Sequence, residues 1–165
     1  MRRRTAIALG LVLAALSALN GCNRVKEKLA EKAAEKVVEQ ATGAEVDLGS
    51  SSGSVTVRDP KTGAVARSGT TLPEGWPSAA APIYPGGTIV ASLSTPTGKQ
   101  VTFTTTDSPD KVHDFYKAKL PGKQEAAFDL GESKMLTKKD GTTSYAATIG
   151  KTKEGASVQL LVTTQ

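Results

Sequence analysis

Short segments of alternating apolar and polar residues, separated by turns, run through residues 83–165 and constrain the fold more than any other feature. A period of two predicts strands with one apolar face. Turns are predicted at Pro96-Thr97-Gly98, Asp140-Gly141 and Glu154-Gly155. The alternating apolar residues are Ile89, Ala91, Leu93, Val101, Phe103, Phe128, Leu130, Met135, Tyr145, Ala147, Ile149, Val158, Leu160 and Val162. We expect an antiparallel sheet of about five strands, whose other face is rich in Thr, Ser and Gln and meets water or a partner.

One helix is predicted after the first hairpin. Ser108 is a favourable N-cap, Pro109 suits the first helical position and Asp110 suits the first turn. The residues with helical spacing on one side are Val112, Phe115, Tyr116 and Leu120, and Pro121-Gly122 ends the pattern. The expected fold is therefore α+β, with this helix on the apolar face of the sheet.

Residues 43–67 form a small β-meander in this interpretation. Val46 and Leu48, then Val55 and Val57, then Val65 lie in short alternating runs between turns. A meander with this few apolar residues is not stable alone. We therefore expect it to pack on the preceding helix or on the following domain.

Gly49 to Gly53 also matches the G-x-S-x-G pattern of hydrolases, with Ser51 in the nucleophile position. That motif needs a strand before it, a helix after it and a histidine base. A strand follows here, and the only histidine is His113. We expect no catalytic residues and no enzyme activity.

Residues 68–82 are a proline-rich linker that contains Trp76, the only tryptophan. Proline makes such a connector stiff and extended. Trp76 has two interpretations: it pins the linker to the domain, or it forms a platform for a ligand. Trp76 and Tyr84 are the candidate contacts for a ligand or partner.

Residues 23–41 contain no Pro or Gly, repeat Glu-Lys every four residues and predict a helix. Its apolar positions are Leu29, Ala33, Val37 and Ala41. The favoured interpretation is a stalk, covering 22–42 with Cys22, that lifts the domain off a membrane. An amphipathic helix in the membrane plane and a partner-binding helix are the alternatives.

The first residues determine the expected location. Arg2, Arg3 and Arg4 precede an uncharged run from Ala6 to Leu19, which is typical of a signal peptide. Leu19-Asn20-Gly21-Cys22 then resembles the lipobox of bacterial lipoproteins. The resemblance implies cleavage between Gly21 and Cys22, a diacylglyceryl group on the Cys22 thiol and a palmitate-type acyl chain on the new amino terminus.

One alternative remains for this segment: cleavage near Ser17, with Cys22 a free thiol, would give a soluble periplasmic protein. In lipoprotein sorting, an aspartate after the cysteine retains the protein in the inner membrane, and this chain has Asn23. We expect an outer-membrane lipoprotein facing the periplasm. The domains are then a signal peptide (1–21), the lipidated stalk (22–42), the meander (43–67), the linker (68–82) and the α+β domain (83–165).

Charge and metal-binding residues exclude other classes. Without Arg2 to Arg4, the chain carries 18 basic against 16 acidic residues and no basic stripe with aromatics, so nucleic acid is not an expected partner. The chain has one histidine, His113, and one cysteine, Cys22, so neither has a second residue of its kind with which to bind a transition metal. Asp107, Asp110 and Asp114 surround the predicted helix start, where carboxylates are favoured by the helix dipole. We expect no metal and no cofactor.

The main domain carries a further resemblance. The runs Ile83-Tyr84-Pro85-Gly86-Gly87, Asp107 to Val112 and Phe115 to Leu120 resemble a domain of uncharacterised bacterial envelope lipoproteins, over about Leu72 to Gln165. The resemblance implies membrane attachment and assigns no catalytic residue. The expected function is a non-catalytic structural or interaction module that meets another envelope protein. The alternative is a small-ligand or lipid-binding module, with its pocket between Trp76, Tyr84 and the helix.

Overall fold

The computed structural model of the chain describes residues 35–36, 39–40, 43–49 and 54–165. Nine strands lie in this part of the chain: β1 Glu45–Gly49, β2 Ser54–Arg58, β3 Val65–Ser68, β4 Thr88–Thr95, β5 Gly98–Thr105, β6 Lys123–Asp129, β7 Ser133–Asp140, β8 Thr143–Lys151 and β9 Ala156–Thr164. One helix, α1 Pro109–Lys119, connects β5 to β6. Among the described residues, no helix has the length and apolar character needed to cross a membrane.

All nine strands belong to one antiparallel sheet with the order β1-β2-β3-β4-β5-β9-β8-β7-β6. Consecutive strands are neighbours except where β9 inserts beside β5. The chain therefore has β1 at one edge of the sheet and β6 at the other.

The predicted sheet of about five strands is wrong. The three strands of the predicted meander continue the main sheet, because β3 pairs with β4 from Val65 opposite Ser94 to Ser68 opposite Ala91. Period-two patterns identify strands but do not say which edges pair. The unpaired N–H and C=O groups of β3 and β4 are satisfied by joining the two groups of strands into one sheet.

Helix α1 begins where the sequence predicts. Ser108 has extended backbone angles at the N-cap, and Pro109 occupies the first helical position. The helix ends at Lys119, and the C-cap residue Leu120 donates its N–H to the carbonyl of Tyr116. Val112, Tyr116 and Leu120 are buried, and the helix contacts β7 and β8.

The core lies between α1, residues 72–89 and four central strands. Its buried strand residues are Val101, Phe103, Leu136, Tyr145, Ala147, Ile149, Ala156, Val158, Leu160 and Val162, and Trp76 and Ala81 complete it from the connector between β3 and β4. We call this surface the helix-side face of the sheet and the opposite surface the far face.

The apolar side changes across the sheet. In β5, β9 and β8 the apolar residues point to the helix-side face, as Val101, Leu160 and Ala147 show by facing one another across the strands. In β1 to β4 most of them point to the far face instead, along the row Val46, Val57, Ala66 and Leu93. Val65 and Ile89 are the exceptions, since the register places both on the helix-side face. A period-two pattern gives two faces but not which one a given strand buries.

The predicted stalk is also wrong. Glu35, Lys36, Glu39 and Gln40 are helical, and the rest of the predicted 23–41 helix lies outside the described residues. The Leu48 N–H donates to Glu35 Oε1 at 2.9 Å, and the Val46 N–H donates to Glu39 Oε1 at 3.4 Å. These contacts hold the helical residues against strand β1, whereas a stalk would project away from the domain.

Candidate interaction surface

Trp76 lies in the core and pins the connector to the helix-side face. Its side chain is 8% exposed, and Nε1–H donates to the carbonyl of Ala81 at 2.9 Å. The backbone also folds tightly here, since the Trp76 N–H donates to the carbonyl of Pro73. The indole ring of Trp76 is thus buried in the core, and its N–H group is hydrogen-bonded within the same connector.

Tyr84 joins the connector to the start of α1. Its hydroxyl donates to Asp107 Oδ2 at 2.8 Å, and its ring meets Phe115 edge to face at a centroid distance of 5.0 Å. Lys111 Nζ lies 3.1 Å from the other oxygen of Asp107. The Tyr84 hydrogen bond, followed by Lys111, lowers the pKa of Asp107. The carboxylate is therefore charged at neutral pH.

The aromatic cluster around Tyr84 is filled by protein atoms. Phe115 meets Tyr116 edge to face at 5.1 Å, and Tyr116 is fully buried with its hydroxyl donating to the carbonyl of Pro82 at 3.0 Å. Burial raises the pKa of Tyr116. A cavity between Trp76, Tyr84 and α1 is therefore occupied by the core itself. Ligand or partner contact by Trp76 and Tyr84 stays a prediction.

Other residues singled out in the sequence have separate positions. Gly21, Cys22 and Ser51 lie outside the described residues. His113 Nδ1 is 3.7 Å from Asp114 Oδ1, on the half-buried flank of α1. Across the part of the chain that the structure describes, no three His, Cys, Asp or Glu side chains are grouped closely enough to bind a metal.

Asp110 contributes to a cluster with Lys134 and Asp129. Lys134 Nζ lies 2.9 Å from Asp110 Oδ1 and also pairs with Asp129 Oδ2, and its side chain is only 10% exposed. The hydrogen bond to Lys134 lowers the pKa of Asp129, and the two carboxylates raise the pKa of Lys134. The cluster fastens the first turn of α1 and the end of β6 to the same residue of β7.

The edge strand β6 is the most exposed apolar region of the described chain. Phe128 is 53% exposed, and Leu130, in the turn that follows, is 79% exposed. We call residues 123–130 the β6 edge. The sequence pattern assigned Phe128 and Leu130 to the apolar strand face. The register places Phe128 opposite Met135 and in line with Thr148, so its side chain lies on the far face and not against the core.

The β6 edge presents backbone hydrogen-bonding groups as well as apolar side chains. The Leu130 N–H donates to the carbonyl of Ser133, so this pair bonds across the β6–β7 hairpin. In an antiparallel ladder, bonded and non-bonded pairs alternate. Ala127 opposite Leu136 and Asp129 opposite Lys134 are therefore non-bonded pairs, and their N–H and C=O groups point away from β7.

The β1 edge, at the opposite side of the sheet, differs from the β6 edge because two glutamates accept its outward N–H groups. Val46 and Leu48 of β1 direct their N–H groups away from β2, and the Glu39 and Glu35 carboxylates accept them. Within the described residues, the two edges of the sheet thus differ in their access to an added strand.

The far face has two halves with different chemistry. Over β5, β9 and β8 it carries mainly polar side chains, such as Thr102, Gln159 and Thr148, which face one another in a row. Over β1 to β4 it is apolar and contains an open groove of about 340 Å³. The apolar half consists of Val46, Leu48, Val55, Val57, Ala66, Ala91 and Leu93, and all but the first two line the groove.

Comparison with known proteins gives no match among protein-family models, curated proteins or solved structures. The resemblance to envelope lipoproteins therefore stays a prediction from the sequence.

Proposed function

We propose that this protein is a lipid-anchored, non-catalytic interaction protein of the bacterial cell envelope that binds its partner at the β6 edge. The signal-like segment and the lipobox-like Leu19 to Cys22 support the anchor. Asn23 after the cysteine supports the outer membrane, with the domain facing the periplasm.

The β6 edge carries the proposal. It combines outward N–H and C=O groups at Ala127 and Asp129 with exposed apolar side chains at Phe128 and Leu130. An exposed edge strand is a template on which another chain can add a strand. The Lys134 cluster holds the end of this edge in place through Asp129.

The expected partner is an extended segment of another envelope protein. Strand addition obtains affinity from main-chain hydrogen bonds and specificity from alternate side chains. A matching segment would place apolar side chains beside Phe128 and Leu130, which are 53% and 79% exposed. Lys123 and the irregular register between Gln124 and Ala126 limit the usable edge to its second half.

The alternative, a small-ligand or lipid-binding module, needs an enclosed apolar cavity beside Trp76 and Tyr84. Both side chains instead donate hydrogen bonds within the domain, to Ala81 and Asp107. A filled core with an open edge supports the interaction function over this alternative.

A photo-crosslinking amino acid at Glu125 in the anchored protein tests the β6 edge in living cells. Glu125 is exposed on β6, beside the usable half of the edge and two residues before Ala127, and Lys119, exposed on α1, is the control position. We expect a defined heteromeric adduct from position 125 and not from position 119. Ala127→Pro should reduce this adduct at least fivefold, because proline removes the outward N–H without affecting the pairing with β7.

Ala127→Val is the matched control, since it keeps the N–H and suits a strand. An adduct that survives Ala127→Pro, or that forms equally from position 119, would contradict binding by strand addition. Circular dichroism of each variant checks that the fold is retained.

The anchor has its own test. Intact-mass analysis of the membrane fraction should show loss of residues 1–21 and added lipid mass in the native protein, and neither change in Cys22→Ser. A soluble product cleaved near Ser17, without lipid, would contradict the anchor. The crosslinking result would still test binding at the β6 edge independently of the anchor.

A further inference from the structure

The apolar half of the far face needs a cover. Its side chains form cross-strand pairs, Val46 with Val57 and Leu48 with Val55, and the row continues through Ala66 to Leu93. The groove along it is open and about 340 Å³ in volume. Helix α1 contacts β7 and β8 and lies on the helix-side face of the sheet. It therefore does not cover the apolar half of the far face.

The chain itself leads to this surface. Glu35 Oε1 accepts the Leu48 N–H at 2.9 Å, and Glu39 Oε1 accepts the Val46 N–H at 3.4 Å. Gly43 then reverses the chain into β1, with φ at +69° and its N–H donating to the carbonyl of Glu39 at 2.7 Å. Glu35 and Glu39, which are described before Gly43, therefore lie along the β1 edge of the apolar half.

We propose that residues 30–41 of the same chain dock on the apolar half of the far face, with Glu35 and Glu39 seated on the β1 edge. At 3.6 residues per turn, the two glutamates share one side of a helix. Val38 and Ala34 follow on one flank of that side, and Lys32 and Lys36 on the other.

Charge complementarity selects this orientation. Glu45 and Asp47 alternate with Val46 and Leu48 along β1, so their side chains lie on the helix-side face. A segment on the β1 edge therefore meets Asp47, and Glu45 at 3.9 Å from Arg58, on one face of the sheet and apolar side chains on the other. Its lysine flank matches the first and its valine-alanine flank matches the second.

This docking also directs the β6 edge away from the anchored end of the chain. Eight strand spacings of about 4.8 Å separate β1 from β6, or about 38 Å along the sheet.

The inference does not depend on the proposed function, because it concerns only contacts within one chain.

Crosslinking in the full chain tests the docking. In a Cys22→Ser background, which leaves no native thiol, Val38→Cys is combined with Val57→Cys on the far face or with Thr56→Cys on the helix-side face. A short bis-maleimide should link the Val57 pair within one chain, with a yield at least fivefold above the Thr56 pair. Equal yields, no link, or links found only in dimers would overturn the proposal, and dimers would identify a second copy as the occupant.

A second measurement avoids new thiols. Val38→Asp should raise the binding of an apolar fluorescent dye several-fold over the native chain, because it releases the cover from the groove. Gln40→Asp, at a position that is exposed in the structure, should leave dye binding unchanged. Equal dye binding by the native chain and both variants would overturn the proposal.

Discussion

Lys134 shows how a single side chain links separate elements. It is a nearly buried cation whose two partners, Asp110 and Asp129, are both more than half exposed. The two carboxylates come from the helix and the edge strand, so the ammonium group is held from both sides. Few sequence signals reveal such a residue, because an isolated Lys between Ser133 and Met135 is typical of a solvated strand position.

The pH dependence of stability should reveal this cluster. Asp129 has a pKa below its ordinary value of 3.8, so its contribution is present above that value and is lost as the pH falls through the lower pKa of the folded state. Lys134 has a raised pKa, so its contribution is lost only as the pH rises through a value above 10.5. Lys134→Met should therefore lower the urea midpoint at pH 7, and the difference from the native protein should shrink below pH 3.8.

Lys153→Met, at an exposed position, is the control for the loss of one positive charge. A difference between Lys134→Met and the native protein that stayed constant from pH 7 to pH 2.5 would contradict the ion-pair explanation.

Trp76 gives a second prediction for a single residue. Trp76→Phe keeps an aromatic ring but removes the hydrogen bond to Ala81 and part of the buried volume. We expect the free energy of unfolding to fall by about 1–3 kcal/mol. Urea unfolding followed by circular dichroism measures this, and an unchanged midpoint would show that the indole does not pin the connector.

At the scale of elements, the joint between α1 and β6 depends on Gly122. Its φ is +84°, and a Cβ there would lie 2.1 Å from the carbonyl oxygen of Lys139. Gly122→Ala should therefore cost more than about 2 kcal/mol in the free energy of unfolding. Gly131, with φ at +78° and no atom near its Cβ position, is the matched control, and Gly131→Ala should cost about 1 kcal/mol. Equal losses for the two variants would argue against a steric clash at Gly122.

Elements with strong local sequence signals were predictable, whereas the strands that form the edges of the sheet were not. Ser108, Pro109 and Asp110 mark the start of α1 because capping and the fixed φ of proline act within one turn. Phe128 has the same alternating pattern as core residues, yet it lies on an edge strand and is 53% exposed. The position of a strand in the sheet depends on contacts between distant residues, which periodicity does not record.

At the scale of the whole molecule, the fully buried residues concentrate at one end of the sheet. The buried core residues come from β5, β7, β8, β9, α1 and the connector, and none comes from β1, β2 or β3. Stability against opening therefore differs along the sheet, since it follows buried apolar area.

Native-state hydrogen exchange should detect this difference. Amides of β2 and β3 should exchange through an opening that costs less free energy than the opening of β8 and β9, and they should behave as one unit. Equal protection across all the strands would indicate that the sheet unfolds only as a whole.

The sequence by itself determined the strand segments, the start and end of α1 and the features that predict a lipid anchor at Cys22. Each depends on a few neighbouring residues, whose spacing, backbone preferences or motif are visible in the chain. The tertiary structure decided that β3 pairs with β4, that Trp76 and Tyr84 are used within the domain, and that Glu35 and Glu39 lie on β1. It also decided that most apolar side chains of β1 to β4, such as Val57, Ala66 and Leu93, point to the far face. These depend on which edges and faces meet across many residues, where several pairings satisfy the same local pattern and only the assembled core selects one.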